Sequence, residues 1–211
     1  MAIQVYTRMY DDHDDAVQVV QALEQAGIAH ADISLVANNA DTRYGADGAS
    51  GTGLTSGDPA QGASTGGGTG ASLGTVLGGG AGLLAGLGML AIPGVGPIVA
   101  AGWLVATLTG AGIGAAAGGL FGSLTGAGVS EADAHTYAEG VRRGGNLVTV
   151  RADDGMASQI NAILDGRTPV NPAARRAEYE QAGWKSFDPA APAYTSEQVV
   201  TERKRRVVSV S

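Results

Sequence analysis

Glycine or alanine recurs at every fourth position through a long stretch of this chain that carries no charge. Two ladders have this spacing: Gly62, Gly66, Gly70, Gly74, Gly78, Gly82 and Gly86, and then Gly102, Ala106, Gly110, Gly114, Gly118, Gly122 and Gly126. No charged side chain stands between Asp58 and Glu131. Because positions four apart share one face of an α-helix, each ladder predicts a smooth groove that a second backbone can approach closely. The sequence therefore predicts tightly packed helices.

The residues between these glycines are mostly apolar beyond Thr69, which is not typical of a flexible linker. We predict two helices, near residues 71–92 and 98–126, joined at residues 93–97 (Pro-Gly-Val-Gly-Pro). Each proline there lacks a backbone donor and restricts the residue before it, so a break is expected. Neither helix has a polar stripe, as expected of a helix buried on every side. The prediction is a glycine-zipper helical hairpin over residues 71–128.

We expect such a hairpin to be too apolar for a monomeric domain of this size to enclose, which leaves two environments. One is a lipid bilayer, because the first helix would be about 33 Å long against a hydrocarbon thickness of about 30 Å. The other is the shared core of a homo-oligomer, because the small residues at 110–119 gain little from lipid and pack well against protein. Both predict self-association, and the first adds membrane lipid as a partner. The predicted helix-packing positions are Gly70, Gly74, Gly78, Gly82, Gly86, Gly102, Ala106, Gly110, Gly114, Gly118, Gly122 and Gly126.

Charge and length limit the remaining function classes. The 211 residues suffice for one modest domain beside the hairpin, and the net charge of −7 argues against nucleic acid as a partner. Without cysteine, disulfides and thiolate chemistry are excluded. The N-terminus lacks a basic segment followed by an apolar one, so we expect no secretory signal. The predicted location is the cytoplasmic membrane with the polar domains in the cytoplasm, or else a soluble cytoplasmic oligomer.

Outside the hairpin, the sequence predicts two halves of one α+β domain. The first half is strand, helix, strand, and the second is helix, strand, helix and a short last strand. Two such halves would pair as a four-stranded antiparallel sheet with helices on one face, which is a ferredoxin-like arrangement. The predicted elements are 3–8, 14–26, 31–37, 130–143, 146–151, 156–164 and 168–170. The predicted division is 1–40 and 129–170 for the domain, 41–70 for a Gly/Ser/Thr-rich linker, 71–128 for the hairpin and 171–211 for a charged helical tail.

One segment carries a resemblance to a known family. Residues 137–150 read Tyr-Ala-Glu-Gly-Val-Arg-Arg-Gly-Gly-Asn-Leu-Val-Thr-Val. Together with the N-terminal half, this segment resembles the bacterial heat-induced general stress protein family with a YflT-like domain, in a longer form with a glycine-rich apolar insert. The resemblance implies stress association and a small α/β domain, and it supplies no catalytic residues.

The C-terminal segment predicts two more helices. The first begins at Asn171 and is ended by Gly183, and the second begins at a capping box formed by Thr195 and Gln198. The second ends in the basic run 203–206 (Arg-Lys-Arg-Arg), which has two interpretations: contact with anionic lipid, or a solvated, frayed tail. The aromatic residues of this segment are expected to dock on the small domain or on a neighbouring subunit. They are Trp184, Phe187 and Tyr194.

The sequence offers little that resembles an active site. Residues 11–15 (Asp-Asp-His-Asp-Asp) contain possible metal ligands, but carboxylates also suit a helix N-terminus, and we favour that interpretation. His30 and His135 have no ligand spacing, and the glycine runs lack the remaining features of a phosphate-binding loop. We therefore predict a non-enzymatic protein without a cofactor or a metal. A small-ligand sensor or an enzyme built on the α/β domain is the third hypothesis.

Overall fold

A computed structural model describes residues 3–40, 88–92, 94–110 and 112–209 of the chain, and these form a mixed helix and sheet structure. The strands are β1 (Ile3–Tyr10), β2 (Ile33–Asn38), β3 (Gly88–Ile92), β4 (Gly96–Gly102) and β5 (Asn146–Asp153). The helices are α1 (His13–Gln25), α2 (Trp103–Gly110), α3 (Gly112–Gly126), α4 (Glu131–Arg142), α5 (Ala157–Leu164), α6 (Pro172–Gln181) and α7 (Ser196–Ser209).

The described strands form one antiparallel sheet in the order β1-β5-β2-β4-β3. β5 therefore lies between β1 and β2, although it comes last in the chain. Every residue of β2 is buried, so this strand is covered on both faces. The sheet is thus a central layer with helices on either side.

Each face of the sheet has its own hydrophobic core. One face packs against α1 and α5, and the other packs against α2, α3 and α4. The first core includes Tyr10, Val20, Leu23, Leu35, Val148 and Ile160. The second includes Met9, Val36, Ile98, Leu104, Leu124, Tyr137 and Leu147. The prediction of helices on one face only was wrong, because α4 and the insert helices α2 and α3 cover the second face.

Helix starts are the part of the local structure that the sequence predicts best. Asp12 caps α1 by accepting a hydrogen bond from the Asp14 amide, and Ser130 caps α4 in the same way. Asn171 caps α6, and Thr195 forms the predicted reciprocal bonds at the start of α7. The acidic run 11–15 is therefore confirmed as a helix start, because a carboxylate there satisfies an otherwise unpaired amide.

The predicted helices are wrong over residues 88–92 and 98–102, which form β3 and β4 instead. Gly94, Gly96 and Gly102 have φ values of +74°, +97° and +91°, a region that cannot continue a right-handed helix. At Gly102 any Cβ would collide with the main chain of Ile33, so only glycine lets the end of β4 approach β2 so closely. Gly94 and Val95 therefore lie in the turn between β3 and β4, which pair as a β-hairpin.

The second glycine ladder does not lie along one helix face. Gly102 ends β4, whereas Ala106 and Gly110 belong to α2. Within α3 the backbone leaves helical geometry at Gly119 (φ +47°, ψ −129°), which separates Gly114 and Gly118 from Gly122 and Gly126. The first-ladder positions Gly70, Gly74, Gly78, Gly82 and Gly86 and the linker 41–70 lie outside the described residues. The role of either ladder in self-association stays a prediction.

Much of the apolar insert is buried inside the domain itself. Ile92, Ile98, Leu104, Leu120 and Leu124 are each at most 7% exposed and belong to one core with α4. For this part of the insert, the expectation that one domain could not enclose it was wrong, because the insert adds its own strands and helices to the sheet. Within the described part of the chain, no helix combines the length and apolar character needed to cross a membrane.

The predicted last strand at 168–170 is absent as a strand. The Val170 amide nevertheless donates a hydrogen bond to the Met9 carbonyl oxygen at 2.7 Å, on the outer edge of β1. The segment therefore lies where an edge strand beside β1 would lie, but a single hydrogen bond is not enough to define a strand.

Candidate functional site at the end of the sheet

Polar side chains gather at one end of the central strands. β1 and β2 both end where β5 begins, because both pair antiparallel with β5. The side chains and flanking residues at this end are Asp11, His13, Asn38, Asn39 and Asn146, and the three asparagines are buried. His13 Nδ1 lies 3.1 Å from Asn146 Oδ1, and burial lowers the pKa of His13. Three segments distant in sequence are thus joined at one point.

Asp11 is bound by two arginines from two different helices. Arg175 of α6 contacts both carboxylate oxygens, at 3.0 and 2.6 Å, and Arg206 of α7 contacts Oδ1 at 3.1 Å. Burial by itself would raise the pKa of Asp11, but the hydrogen bonds and charges of the two arginines lower it below its ordinary value. The carboxylate therefore serves as a fixed anion that connects α6 and α7 to the end of β1.

Glu139 is the most deeply buried carboxylate of this end of the molecule, with 1% of its surface exposed. Its oxygens accept hydrogen bonds from Arg143 Nε at 2.5 Å and from Arg142 Nη1 at 3.3 Å. Arg143 is also buried, at 8% exposed, and Glu202 of α7 lies 3.9 Å from its Nη1. A buried carboxylate needs such partners, because an unpaired charge in the interior costs several kcal/mol.

α7 reaches this end of the sheet through two more arginines. Arg203 donates to the main-chain carbonyls of Gly144 and Asn38, each at 3.0 Å. Arg206 donates to the Arg143 carbonyl at 3.2 Å in addition to Asp11. Both interpretations of the basic run were wrong for these two side chains, which are at most 9% exposed. Charged groups can be buried here because the carbonyl oxygens of Asn38, Arg143 and Gly144 and the Asp11 carboxylate accept their hydrogen bonds.

Aromatic rings enclose the arginines of α4. The Arg143 guanidinium lies 4.2 Å from the centre of the Tyr179 ring and 5.6 Å from that of Tyr194. Tyr179 also meets Trp184 edge to face, at 5.6 Å between ring centres. Phe187 is 4% exposed and belongs to the core beneath α4. The prediction that the C-terminal aromatic residues dock on the small domain is confirmed.

We call the charged members of this region the strand-end cluster. They comprise five arginines and three carboxylates: Arg142, Arg143, Arg175, Arg203, Arg206, Asp11, Glu139 and Glu202. Arginine is thus in excess, and the excess donors bind main-chain carbonyls. An open depression of about 270 Å³ borders the cluster, between Tyr194 and the exposed face of α7. The arrangement can hold chain segments together, and it offers no nucleophile next to a base.

The other histidines lie away from this cluster. His30 pairs with Glu24 at 3.1 Å, and His135 stacks on Phe121 with 4.2 Å between ring centres. No group of three or more His, Asp or Glu residues within the described ranges could hold a metal ion. The carboxylates of residues 11–15 therefore do not gather as ligands, since Asp12 caps the helix and Asp11 binds arginine.

Sequence reasoning missed the strand-end cluster, although one signal for it was present. Val199, Arg203 and Arg206 are spaced by four and three residues, so they share one face of α7. A single apolar residue in such a stripe indicates that the face is buried and that its arginines have partners. The identity of those partners depends on segments more than 50 residues away and could not be predicted.

The fold and the cluster together define a mixed α/β domain in which the chain's own C-terminal helix closes the end of the central strands. Comparison with protein-family models, with curated proteins and with solved structures finds no match to this chain.

Proposed function

We propose that this chain is a non-enzymatic, stress-associated protein that self-assembles through its first glycine ladder. The observation that supports self-assembly is the position of β3, which is one of the two edge strands of the described sheet. Gly88, the first residue of β3, comes two residues after Gly86, the last position of the ladder. The ladder thus joins the domain at a sheet edge, where a second copy can approach. Stress association is inferred from the resemblance of residues 137–150.

The homo-oligomer is the preferred form of this proposal. Ile92, Ile98, Leu104, Leu120 and Leu124 are buried within the domain, so we assign partner binding to the first ladder. Its four-residue glycine spacing suits close contact between two copies of the same groove. A membrane-attached form is the second candidate, because residues 59–87 carry no charge and membrane lipid would also accept them.

One experiment separates these forms. We expect the purified chain in detergent-free buffer to give a single multimeric mass by light scattering. Gly78→Leu, on the ladder, should reduce that mass, whereas Gly51→Leu, before the ladder, should not. Gly114→Leu tests the second ladder in the same way. A monomeric mass for the unmodified protein would overturn self-assembly. Recovery of the protein only together with lipid vesicles in a flotation gradient would favour the membrane-attached form.

We propose in addition that β1, α1, β2, β5 and α5 constitute a ferredoxin-like unit. Two observations support this: β5 lies between β1 and β2, and α1 and α5 share one face of the sheet. The hydrogen bond from Val170 to Met9 supports a vestigial fourth strand beside β1. On this view, the glycine-rich insert extends the sheet beyond β2 and covers its second face.

The absence of an enzymatic role is part of the same proposal. Its support is that two carboxylates of the strand-end cluster, Asp11 and Glu139, are both bound by arginines of the same chain. A thermal-shift screen against nucleotides, amino acids and divalent cations is the test. A reproducible stabilisation by one of these ligands would favour the small-ligand sensor instead.

A further inference from the structure

We infer that the end of the sheet beneath α7 is a recognition site for arginine side chains, which the chain's own C-terminal helix occupies as a built-in ligand. The site, here called the arginine site, consists of the Asp11 carboxylate and the main-chain carbonyls of Asn38, Arg143 and Gly144. It would accept an arginine-bearing helix from another protein when α7 is displaced.

The chemistry of the arginine site fits guanidinium groups specifically. All four of its groups are hydrogen-bond acceptors, and they receive bonds from Arg203 and Arg206 at 3.0 to 3.2 Å. A guanidinium has five donors in a planar fork, whereas an ammonium is a compact point charge with three. One arginine can therefore bridge two carbonyls on different segments, as Arg203 does between Gly144, in the turn before β5, and Asn38, at the end of β2. A lysine at the same position would leave an acceptor unpaired.

The described contacts of α7 at this site combine one apolar side chain with two guanidinium groups. Among the side chains of residues 196–206, Val199, Arg203 and Arg206 are buried, and Val199 is the apolar one. The residues between them on the other face, such as Lys204 and Arg205, are exposed. Over residues 196–206, the part of α7 whose side chains the structure describes, an external helix would therefore have to offer one apolar side chain and two guanidinium groups at the same positions.

The recognised pattern follows from the spacing on α7. An apolar residue is followed by arginine at the fourth position and again at the seventh, which places all three on one helical face. α7 is joined to α6 by residues 182–195, a connection without helix or strand. The native helix therefore competes with an external one as a tethered ligand, at an effective concentration in the mM range.

The test uses full-length protein and a fluorescein-labelled peptide of residues 195–209 as the probe. In the variant Arg203→Gln/Arg206→Gln the tethered ligand is weakened, so anisotropy should show the peptide binding about tenfold or more tightly than to the unmodified protein. Lys204→Gln, an exposed position on the same helix, is the matched control and should bind the peptide as the unmodified protein does. A peptide carrying the same two Arg→Gln changes should not bind the double variant.

Two results would overturn the inference. The first is a double variant that keeps its circular dichroism and cooperative melting but binds no peptide, and the second is equal binding of the altered peptide. If the double variant does not fold, hydrogen exchange on the unmodified protein decides the matter. Excess peptide should then accelerate exchange in α7 without changing β5, and unchanged exchange in α7 would contradict the site.

Discussion

Replacing Glu139 by glutamine tests whether the buried carboxylate holds α4 and its arginines in place. The substitution keeps the shape of the side chain and removes its charge. Arg143, at 8% exposed, would then lose its closest anion, and the nearest remaining carboxylate oxygen belongs to Glu202 at 3.9 Å. Arg142 would lose its partner at 3.3 Å as well. Two guanidinium groups would share an amide oxygen in place of a carboxylate.

The magnitude follows from the burial of both partners. Removing one partner of a buried ion pair costs about 3 to 5 kcal/mol, because the other charge stays buried without compensation. Glutamine still accepts one hydrogen bond, so we expect the lower end, about 3 kcal/mol. For a chain of this length, such a loss corresponds to a fall in melting temperature of about 6 to 12 °C.

Urea denaturation followed by circular dichroism measures this change. Glu131→Gln is the matched control, because it makes the same substitution in the same helix at a side chain that is 81% exposed. We expect it to cost less than about 1 kcal/mol. A free energy of unfolding for Glu139→Gln within about 1 kcal/mol of the unmodified protein, at the same denaturant slope, would refute the reasoning.

A second variant distinguishes the loss of the Glu139–Arg143 ion pair from the cost of leaving the Arg143 charge buried without a partner. Adding Arg143→Met to Glu139→Gln removes the uncompensated guanidinium and leaves a flexible apolar side chain beside the Tyr179 ring. Because the cost is assigned to the stranded charge, the double variant should be more stable than Glu139→Gln alone. If the double variant instead loses as much free energy of unfolding as the two single variants together, the cost comes from lost packing and not from the unpaired charge.

Three further predictions follow from individual residues. The pKa of Asp11 is lower in the folded protein than in the unfolded chain. The contribution of Asp11 to the free energy of unfolding is therefore present above about pH 4, and it is lost as pH falls through the folded-state pKa. In urea titrations, the stability of Asp11→Asn should fall less than that of the unmodified protein between about pH 4 and pH 2. Thr149→Val should raise stability by up to about 1 kcal/mol, because the buried Thr149 hydroxyl has no hydrogen-bond partner among the residues that the structure describes. A loss of similar size would show that the hydroxyl is paired. Gly102→Ala should cost more than about 3 kcal/mol of stability, because the added Cβ would collide with the main chain of Ile33. Gly27→Ala is the control, since Gly27 has a similar φ but open space around it, and it should cost about 1 kcal/mol. Equal losses of stability in thermal melts would contradict the collision.

The strands and helices of the two domain halves could be predicted because their signals are local. α1 begins at Asp12 and α4 at Ser130, and each cap is satisfied by a backbone amide within three residues along the chain. Gly27 and Gly144 adopt positive φ values just after these helices, at +89° and +100°. Such contacts form within one helical turn, so they do not depend on the remainder of the fold.

The glycine-rich insert could not be assigned by the same reasoning. A four-residue spacing of small residues is compatible with a helical groove, but short apolar runs such as 88–92 and 96–102 suit a buried strand equally well. The strand conformation is stabilised by β2, because β4 pairs with the edge of β2 that faces away from β5. Positive φ at Gly96 and Gly102 makes this pairing possible.

By itself, the sequence determined where the helices outside the insert begin and end, that the insert is apolar and uncharged, and that the tail carries arginines on one face of a helix. These properties depend on neighbours within a few positions. The tertiary structure alone decided that the insert extends the sheet and that Arg203 and Arg206 are buried at its end. The physical reason is that carbonyls and carboxylates from β1, β2 and α4 must first be brought together by folding before a buried guanidinium has anything to bind.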